Sequence, residues 1–353
     1  MAKEKKILII MGGMGRDGAE RVISLISDYF CSKGWKVYIA LLLFNKVGYR
    51  LNENITIVDL TFGDGARAGK IPKWLYGIRK IVKEIEPDEI LSFVARVNVL
   101  TQLACFGLDC PIVVSERNDP YKDGRGKIVD ILTNWLYPKA KAVVFQTKRA
   151  AGYFQKIKLK NSMILTNPIS VTCERQKPKY GKIVTAGRLA EQKNQRMLIQ
   201  AFANIVQEFP NAELTIYGEG KLRRELEELV QTLGLSKKVF LPGNVPNLHE
   251  CICDASVFVL PSDYEGLSNA LLEAMMLGIP CVSTDCAGAD EYIEPGSNGY
   301  LVPVGDVNKM TQALKDILSY PEKAEKMGQM AKKMSVRFSE QTVLKKWYEA
   351  IES

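Results

Sequence analysis

Histidine is almost missing from this chain. His249 is the single one among 353 residues. The cysteines, Cys31, Cys105, Cys110, Cys173, Cys251, Cys253, Cys281 and Cys286, form no C-x-x-C pair and follow no zinc-type spacing. Cys251 and Cys253 have only His249 beside them, so reduced core cysteines are expected there and a metal site is not. No apolar run approaches the ~20 residues of a membrane span. Tyr38–Phe44 is among the longest and is strand-sized. The basic start runs into Ile7–Met11, which is too short for a signal peptide and ends in glycines. A cytoplasmic location is the expectation.

The rest of the composition is that of a soluble globular chain, 46% hydrophobic and 25% charged. This excludes a disordered tail, a collagen-like chain and a disulfide miniprotein. The length suits two domains at ~100–200 residues each. The net charge of +8 is lopsided: residues 1–170 carry +11 and residues 171–353 carry −3. A strongly basic half suggests an anionic partner such as nucleic acid, a phosphorylated substrate or a membrane surface; solvated helix faces are the plainer alternative.

Short apolar runs alternate with amphipathic segments along the first half. Lys6–Met11, Lys36–Leu43, Ile55–Leu60, Glu89–Phe93, Pro111–Ser115 and Ala142–Gln146 read as strands; Ala19–Lys33 and Lys73–Glu86 read as helices. Val171–Tyr180 is polar, carries a proline and reads as a linker. The alternation then restarts at Ile183–Ala186 and ends in the helical stretch Val307–Ile351. This predicts an α/β chain with two doubly wound parallel sheets. The expected layout is an N-terminal Rossmann-like domain at 1–170, a linker at 171–180, a second domain at 181–338 and a C-terminal helix at 339–353 that packs back on the first domain. Ligands of such sheets bind at the carboxyl ends of strands, so a site in a cleft between the domains is expected.

Gly13–Gly18 matches G-x-G-x-x-G between a strand and a helix. The next strand ends Leu43-Phe44-Asn45 without the acidic residue an NAD site wants, leaving a phosphate-binding loop or a tight turn. Stronger signals lie in the second half. Gly187-Arg188-Leu189 follows a strand, and Lys193 stands where a helix opens. Two cations there suit a diphosphate and a negative leaving group; solvated surface cations are the alternative. Glu265 follows another strand, Ser268 is a plausible N-cap, and Glu273 completes E-x7-E about one turn into the helix. Carboxylates accept bonds from sugar and ribose hydroxyls, and the free amides of Leu267–Ala270 suit phosphate oxygens.

The blocks GRLAEQKN, SDYEGLSNALLEAM, GIPCVSTDCAGADEYI and NGYLVPVGD resemble the C-terminal domain of family 4 (group 1) glycosyltransferases of the GT-B fold, and GGMGRDGAERVIS resembles the family's N-terminal glycine loop. The resemblance implies two Rossmann-like domains facing across a central cleft and a retaining, metal-independent hexosyltransferase; the chain has no D-x-D metal motif. It implies that Arg188 and Lys193 neutralise the donor diphosphate, that Glu265 contacts the donor sugar and that Glu273 binds the ribose. Gly187, Gly266, Leu267, Ser268 and Asn269 would line the donor site, with Gly12 and Gly13 approaching the diphosphate from the other domain. Many relatives carry a histidine in the N-terminal domain, where this chain has Ser115-Glu116-Arg117-Asn118-Asp119. Either Glu116 or Arg117 then faces the donor sugar, or both form an ion-pair scaffold.

No cofactor is implied; the nucleotide sugar is a co-substrate, with UDP-hexose or UDP-N-acetylhexosamine favoured and GDP-mannose as the alternative. The implied acceptor is a glycan or an undecaprenyl-diphosphate-linked sugar in capsule, O-antigen or exopolysaccharide synthesis. Two basic segments carry aromatic residues: Lys70–Lys83 around Trp74 and Tyr76, and Lys139–Lys160 with Tyr153 and Phe154. With no nucleic-acid motif present, an anionic inner membrane surface is the expected partner, and a peripheral location on its cytoplasmic face follows. The rival readings are a nucleotide-sugar 2-epimerase of the same fold and an inactive sugar-nucleotide-binding scaffold.

Overall fold

A computed structural model describes residues 4–15, 18–63, 66–286 and 288–352. Arg16 and Asp17 of the glycine loop lie outside the described residues. The chain divides into two compact units, Met1–Pro168 with Gln341–Ser353, and Ile169–Glu340.

In unit 1 the order is β1 (Lys6–Met11), α1 (Gly18–Ser32), β2 (Lys36–Leu41), β3 (Thr56–Asp59), α2 (Arg67–Ile85), β4 (Glu89–Phe93), α3 (Ala95–Ala104), β5 (Ile112–Ser115), α4 (Gly126–Leu136), β6 (Ala142–Phe145), α5 (Lys148–Tyr153) and β7 (Ser162–Ile164). The strands pair in parallel in the order β3-β2-β1-β4-β5-β6-β7. Alternation along β1 drives the layering: Ile7, Ile9 and Met11 face α1, while Leu8 and Ile10 face Trp74 and Ile78 of α2. Both faces are covered, so the strands read as continuous apolar runs.

Unit 2 repeats the plan with β8 (Lys179–Ala186), α6 (Gln195–Ala203), β9 (Glu213–Tyr217), α7 (Arg223–Thr232), β10 (Val239–Gly243), α8 (Leu248–Ile252), β11 (Ala255–Leu260), α9 (Asn269–Leu277), β12 (Cys281–Thr284), β13 (Gly299–Val302), α10 (Val307–Ser319) and α11 (Pro321–Ser335). Its parallel sheet runs β10-β9-β8-β11-β12-β13. In each sheet the order reverses beside the first strand, between β1 and β4 and between β8 and β11. Those two switch points open crevices at the strands' carboxyl ends.

The last helix, α12 (Glu340–Glu352), lies against the N-terminal core: Val343, Leu344, Trp347 and Ile351 are buried with Ile7, Ile9 and Phe93. Trp347 stacks on Phe93 with ring centroids 5.9 Å apart, and its indole N–H donates to the Thr166 carbonyl at 3.4 Å. The chain thus returns to unit 1 after completing unit 2. The polar stretch 171–180 is not a free tether. The Gln176 amide donates to Cys253 O at 3.1 Å, the Arg175 guanidinium to the same oxygen at 2.8 Å, and Lys179 and Tyr180 already belong to β8. Its polarity reflects these backbone partners.

The two basic segments also turn their aromatics inward. Trp74 is buried, and its indole N–H donates to the Leu42 and Leu60 carbonyls at 3.0 and 3.1 Å. Phe154 is buried between Tyr137 and Phe145. Those rings are core for the two helices and leave little apolar surface on the basic segments, Tyr76 and Ile71 excepted.

Trp347→Ala should therefore destabilise unit 1 by about 3–5 kcal/mol, because a fully buried ring is replaced by a cavity. Urea unfolding monitored by hydrogen exchange should show the β1 and β4 amides losing protection while those of β8 keep theirs.

Candidate active site

The two loops that leave the switch point of unit 2 are tied to each other. The first, after β8, runs Gly187–Asn194; the second, after β11, runs Pro261–Ser268. Lys193 Nζ lies 2.5 Å from Glu265 Oε1, and the Ser262 hydroxyl donates to the same oxygen at 2.6 Å. Gln192 Nε2 donates to the Tyr264 carbonyl at 2.9 Å, the Asp263 amide donates to the Gln192 carbonyl at 2.8 Å, and Asn194 Nδ2 donates to Asp263 Oδ1 at 2.7 Å. Asn194 takes a left-handed conformation (φ 42°) and also caps α6, its side chain accepting from the Met197 amide. One residue thus turns the chain, opens the helix and fastens the second loop.

Glycines set the height of the first loop. The Gly187 and Leu189 amides donate to the Tyr217 and Glu219 carbonyls, both at 2.9 Å. A Cβ on Gly218 would fall 2.0 Å from Gly187 O, and one on Gly220 would fall 2.2 Å from Leu189 O. Neither backbone oxygen has room to give, and Gly218 also sits at φ 132°. These two glycines escaped the sequence reading because they lie after β9 and act through backbone packing. Arg188 is exposed between the two clamped residues. The alkyl stem of Lys193 lies over Gly187.

Ser268 caps α9, its hydroxyl accepting from the Leu271 amide at 3.4 Å. Leu267 and Ser268 share a small cavity with Glu265 and Cys286, and Gly266 lies in the same loop with Asn269 as the first residue of the helix. Burial pushes the Cys286 thiol up to about 11, so it stays protonated at neutral pH. Glu273 is buried one turn into α9 and meets a residue from outside the motif: His249 Nε2 lies 3.3 Å from Glu273 Oε2. The Thr172 backbone amide approaches His249 Nδ1 at 3.2 Å. A backbone N–H only donates, so Nδ1 accepts and the ring proton sits on Nε2, facing the carboxylate. The lone histidine thus touches a predicted site residue.

The predicted residues of unit 1 follow β1 and β5, and Glu116 and Arg117 are enclosed. Glu116 is buried in a bidentate pair with Arg125, at 2.9 and 3.3 Å, and accepts a hydrogen bond from the Tyr137 hydroxyl. Burial pushes its carboxyl above the usual range, against the pull of Arg125 and Tyr137. Arg117 is buried under the rings of Phe93 and Trp347, 5.4 and 5.8 Å from their centroids, and donates to Asn167. Glu116 is thus ion-paired with Arg125, while Arg117 meets the neutral Asn167 side chain and the two rings. At the glycine loop, a Cβ on Gly13 would fall 2.3 Å from the Phe44 ring and one on Gly12 would press on Leu43. Leu43 and Phe44 pack against these glycines here.

Residues 174–334 match the family model described as glycosyl transferases group 1. That match lies within unit 2, and the chain is similar to the family over that segment. The chain is 27% identical over 357 residues to a Campylobacter jejuni protein named as an undecaprenol-diphosphate-linked alpha-1,4-N-acetyl-D-galactosaminyltransferase, with 98% of each chain covered. It is 30% identical over 257 residues to an uncharacterized glycosyltransferase of Methanocaldococcus jannaschii, covering 65% of this chain and 63% of that protein's length. Among solved structures it resembles a sucrose-phosphate synthase from Thermosynechococcus elongatus (TM-score 0.84, 17% identity, 98% of both chains). It also resembles Anabaena HepE in complex with UDP and glucose (TM-score 0.83, 19% identity, 99% of this chain and 100% of that one). The fold is the two-domain α/β GT-B fold. The matched segment contains Lys193, Glu265, Glu273 and His249.

His249→Ala should cost about 1–3 kcal/mol, because it strands the Thr172 amide and takes one partner from the buried Glu273 carboxylate. A urea titration that follows unit 2 measures the loss.

Proposed function

We propose that this chain is a retaining glycosyltransferase that moves a hexose or N-acetylhexosamine from a UDP-sugar to a lipid-linked or polysaccharide acceptor. The observation that carries the reading is the meeting of Lys193 and Glu265, beside exposed Arg188, at the carboxyl ends of adjacent strands β8 and β11. A cation and a carboxylate held together at a switch point offer opposite polarities to one ligand. The cations suit the donor diphosphate, and the carboxylate suits the sugar hydroxyls beside the anomeric carbon. The names of the relatives support the two substrates: HepE was crystallised with UDP and glucose, and the Campylobacter protein is named for an undecaprenol-diphosphate-linked acceptor.

In this mechanism the bond from the anomeric carbon to the diphosphate oxygen breaks, the acceptor hydroxyl attacks from the same face, and its proton passes to the departing diphosphate oxygen. Negative charge grows on the leaving diphosphate, and Arg188 and Lys193 stabilise it more in the transition state than in the ground state. Glu273 holds the ribose hydroxyls, with its carboxylate oriented by His249. The amides at the start of α9 face phosphate oxygens, and Gly187 and Gly266 keep the loop backbones close enough to reach them. The proposed reaction uses no metal and no cofactor beyond the nucleotide sugar, and the proposed location is the cytoplasmic face of the membrane carrying the acceptor. No helix among the described residues is long and apolar enough to cross a membrane.

A thermal-shift panel of UDP-, GDP- and ADP-sugars tests the donor, since a ligand bound only to the folded state raises Tm with its affinity. The largest shift is expected from a UDP-sugar, and none from any of the three would overturn the donor reading. Lys193→Ala should lower kcat by roughly 100- to 1,000-fold while moving KM far less, as removal of one transition-state donor does. Steady-state transfer kinetics with a radiolabelled sugar measures both, and an unchanged kcat would remove Lys193 from the chemistry.

A further inference from the structure

Helix α4 presents an apolar stripe to solvent. Ile128, Ile131 and Trp135 lie three and four residues apart on one face and are 75%, 67% and 48% exposed. Phe106, 56% exposed, extends the stripe by stacking on Trp135 with centroids 5.8 Å apart. Single exposed apolar side chains are ordinary, but four contiguous ones, two of them aromatic, mark a contact surface. Cations surround them. Lys139 Nζ lies 3.9 Å above the Trp135 ring and Lys127 is exposed beside Ile128. A hollow of about 350 Å3 next to Phe106 is lined by Lys139, Lys141 and Lys160, with Asp109 as its carboxylate.

We infer that this face of α4, with Phe106, is the surface by which the protein docks on an anionic lipid bilayer. The aliphatic and aromatic tips enter the acyl boundary, and the lysines meet lipid phosphates at headgroup level. An indole with a lysine over it suits the interface between hydrocarbon and water. A second copy of this chain fits the face poorly: a two-fold contact there would set Lys127 and Lys139 of one copy against the same cations of the other. An anionic leaflet complements them. The apolar side chains of this surface lie outside the two basic segments singled out in the sequence, whose rings Trp74 and Phe154 are buried, while Lys139, Lys141 and Lys160 come from the second of them. The inference deepens the reading of a lipid-linked acceptor and rests on that reading for what docking achieves. The test uses vesicles without sugar, so loss of docking and loss of transfer are separate results.

Trp35, Trp74 and Trp347 are buried, leaving Trp135 as the exposed tryptophan. Phosphatidylglycerol–phosphatidylcholine vesicles should therefore sediment the protein and blue-shift its emission. Trp135→Phe should abolish the shift and keep most of the binding. Ile128→Ser, Ile131→Ser and Trp135→Ser together should weaken partitioning by about 100-fold. Lys127→Gln with Lys139→Gln should weaken it by roughly tenfold, with the loss confined to anionic vesicles and low salt. All these side chains are exposed, and an unchanged circular dichroism spectrum confirms the fold. Wild-type protein that fails to bind, a triple serine variant that binds equally, or bound protein without an emission shift would each overturn the inference.

Discussion

The Lys193–Glu265 pair depends on one topological fact: β8 and β11 are neighbours although two strands and three helices separate them in sequence. Their connections leave the sheet in opposite directions, so the loops at their carboxyl ends are not covered by a crossover helix. Everything else at the site maintains that opening at one height. Gly218 and Gly220 let the first loop sit flush on the β9 turn, Asn194 turns it into α6, and Gln192 and Asp263 fasten it to the second loop. A mostly buried cation and carboxylate would be costly if either lost the other. The backbone bonds across the loops prevent that loss without consuming the charged groups.

Unit 1 has the same switch point and a different filling. Its carboxylate and arginine are enclosed, Glu116 by Arg125 and Tyr137, Arg117 by Phe93 and Trp347. The polar network continues inward through Asn98, which donates to Ser115 O and to the Tyr137 hydroxyl at 3.1 and 3.0 Å. Such a network is high-stakes, because each member is buried and needs its partners. Val94, a β-branched residue with φ 75°, stands at the end of β4 beside it. Strain of this kind persists only where the surroundings over-determine it, and here the Val94 amide donates to Ser115 O at 3.0 Å. The C-terminal helix is part of that enclosure: Trp347 covers Arg117, although more than 200 residues separate them.

The basic half carries its positive charge for two reasons that composition cannot distinguish. Some cations are structural, as where Arg79 donates to the Ala104 and Phe106 carbonyls, both at 2.9 Å, and holds the turn that displays Phe106. Others ring the exposed face of α4. Sequence spacing marked aromatic residues among lysines as an interfacial pattern, but Trp74 and Phe154 follow the inward periodicity of their elements. Ile128, Ile131 and Trp135 follow a helical period equally well and point outward. Periodicity finds a stripe without saying whether a sheet or the solvent faces it.

By itself, the sequence determined what depends on local order and residue type. Continuous apolar runs gave the parallel strands, their alternation with amphipathic segments gave the doubly wound units, and the spacing of Arg188, Lys193, Glu265 and Glu273 marked the candidate site. Ser268 was legible as a cap because capping is local. Only the tertiary structure decided which partners those residues have. His249 meets Glu273, and Lys193 meets Glu265, through elements brought together by the sheet. Glu116 and Arg117 were legible as candidates and their enclosure was not, since it needs Arg125, Tyr137 and a helix from the far end of the chain. The physical reason is the same throughout: a residue's type and period are written in the chain, while burial and charge pairing belong to the packing of distant segments.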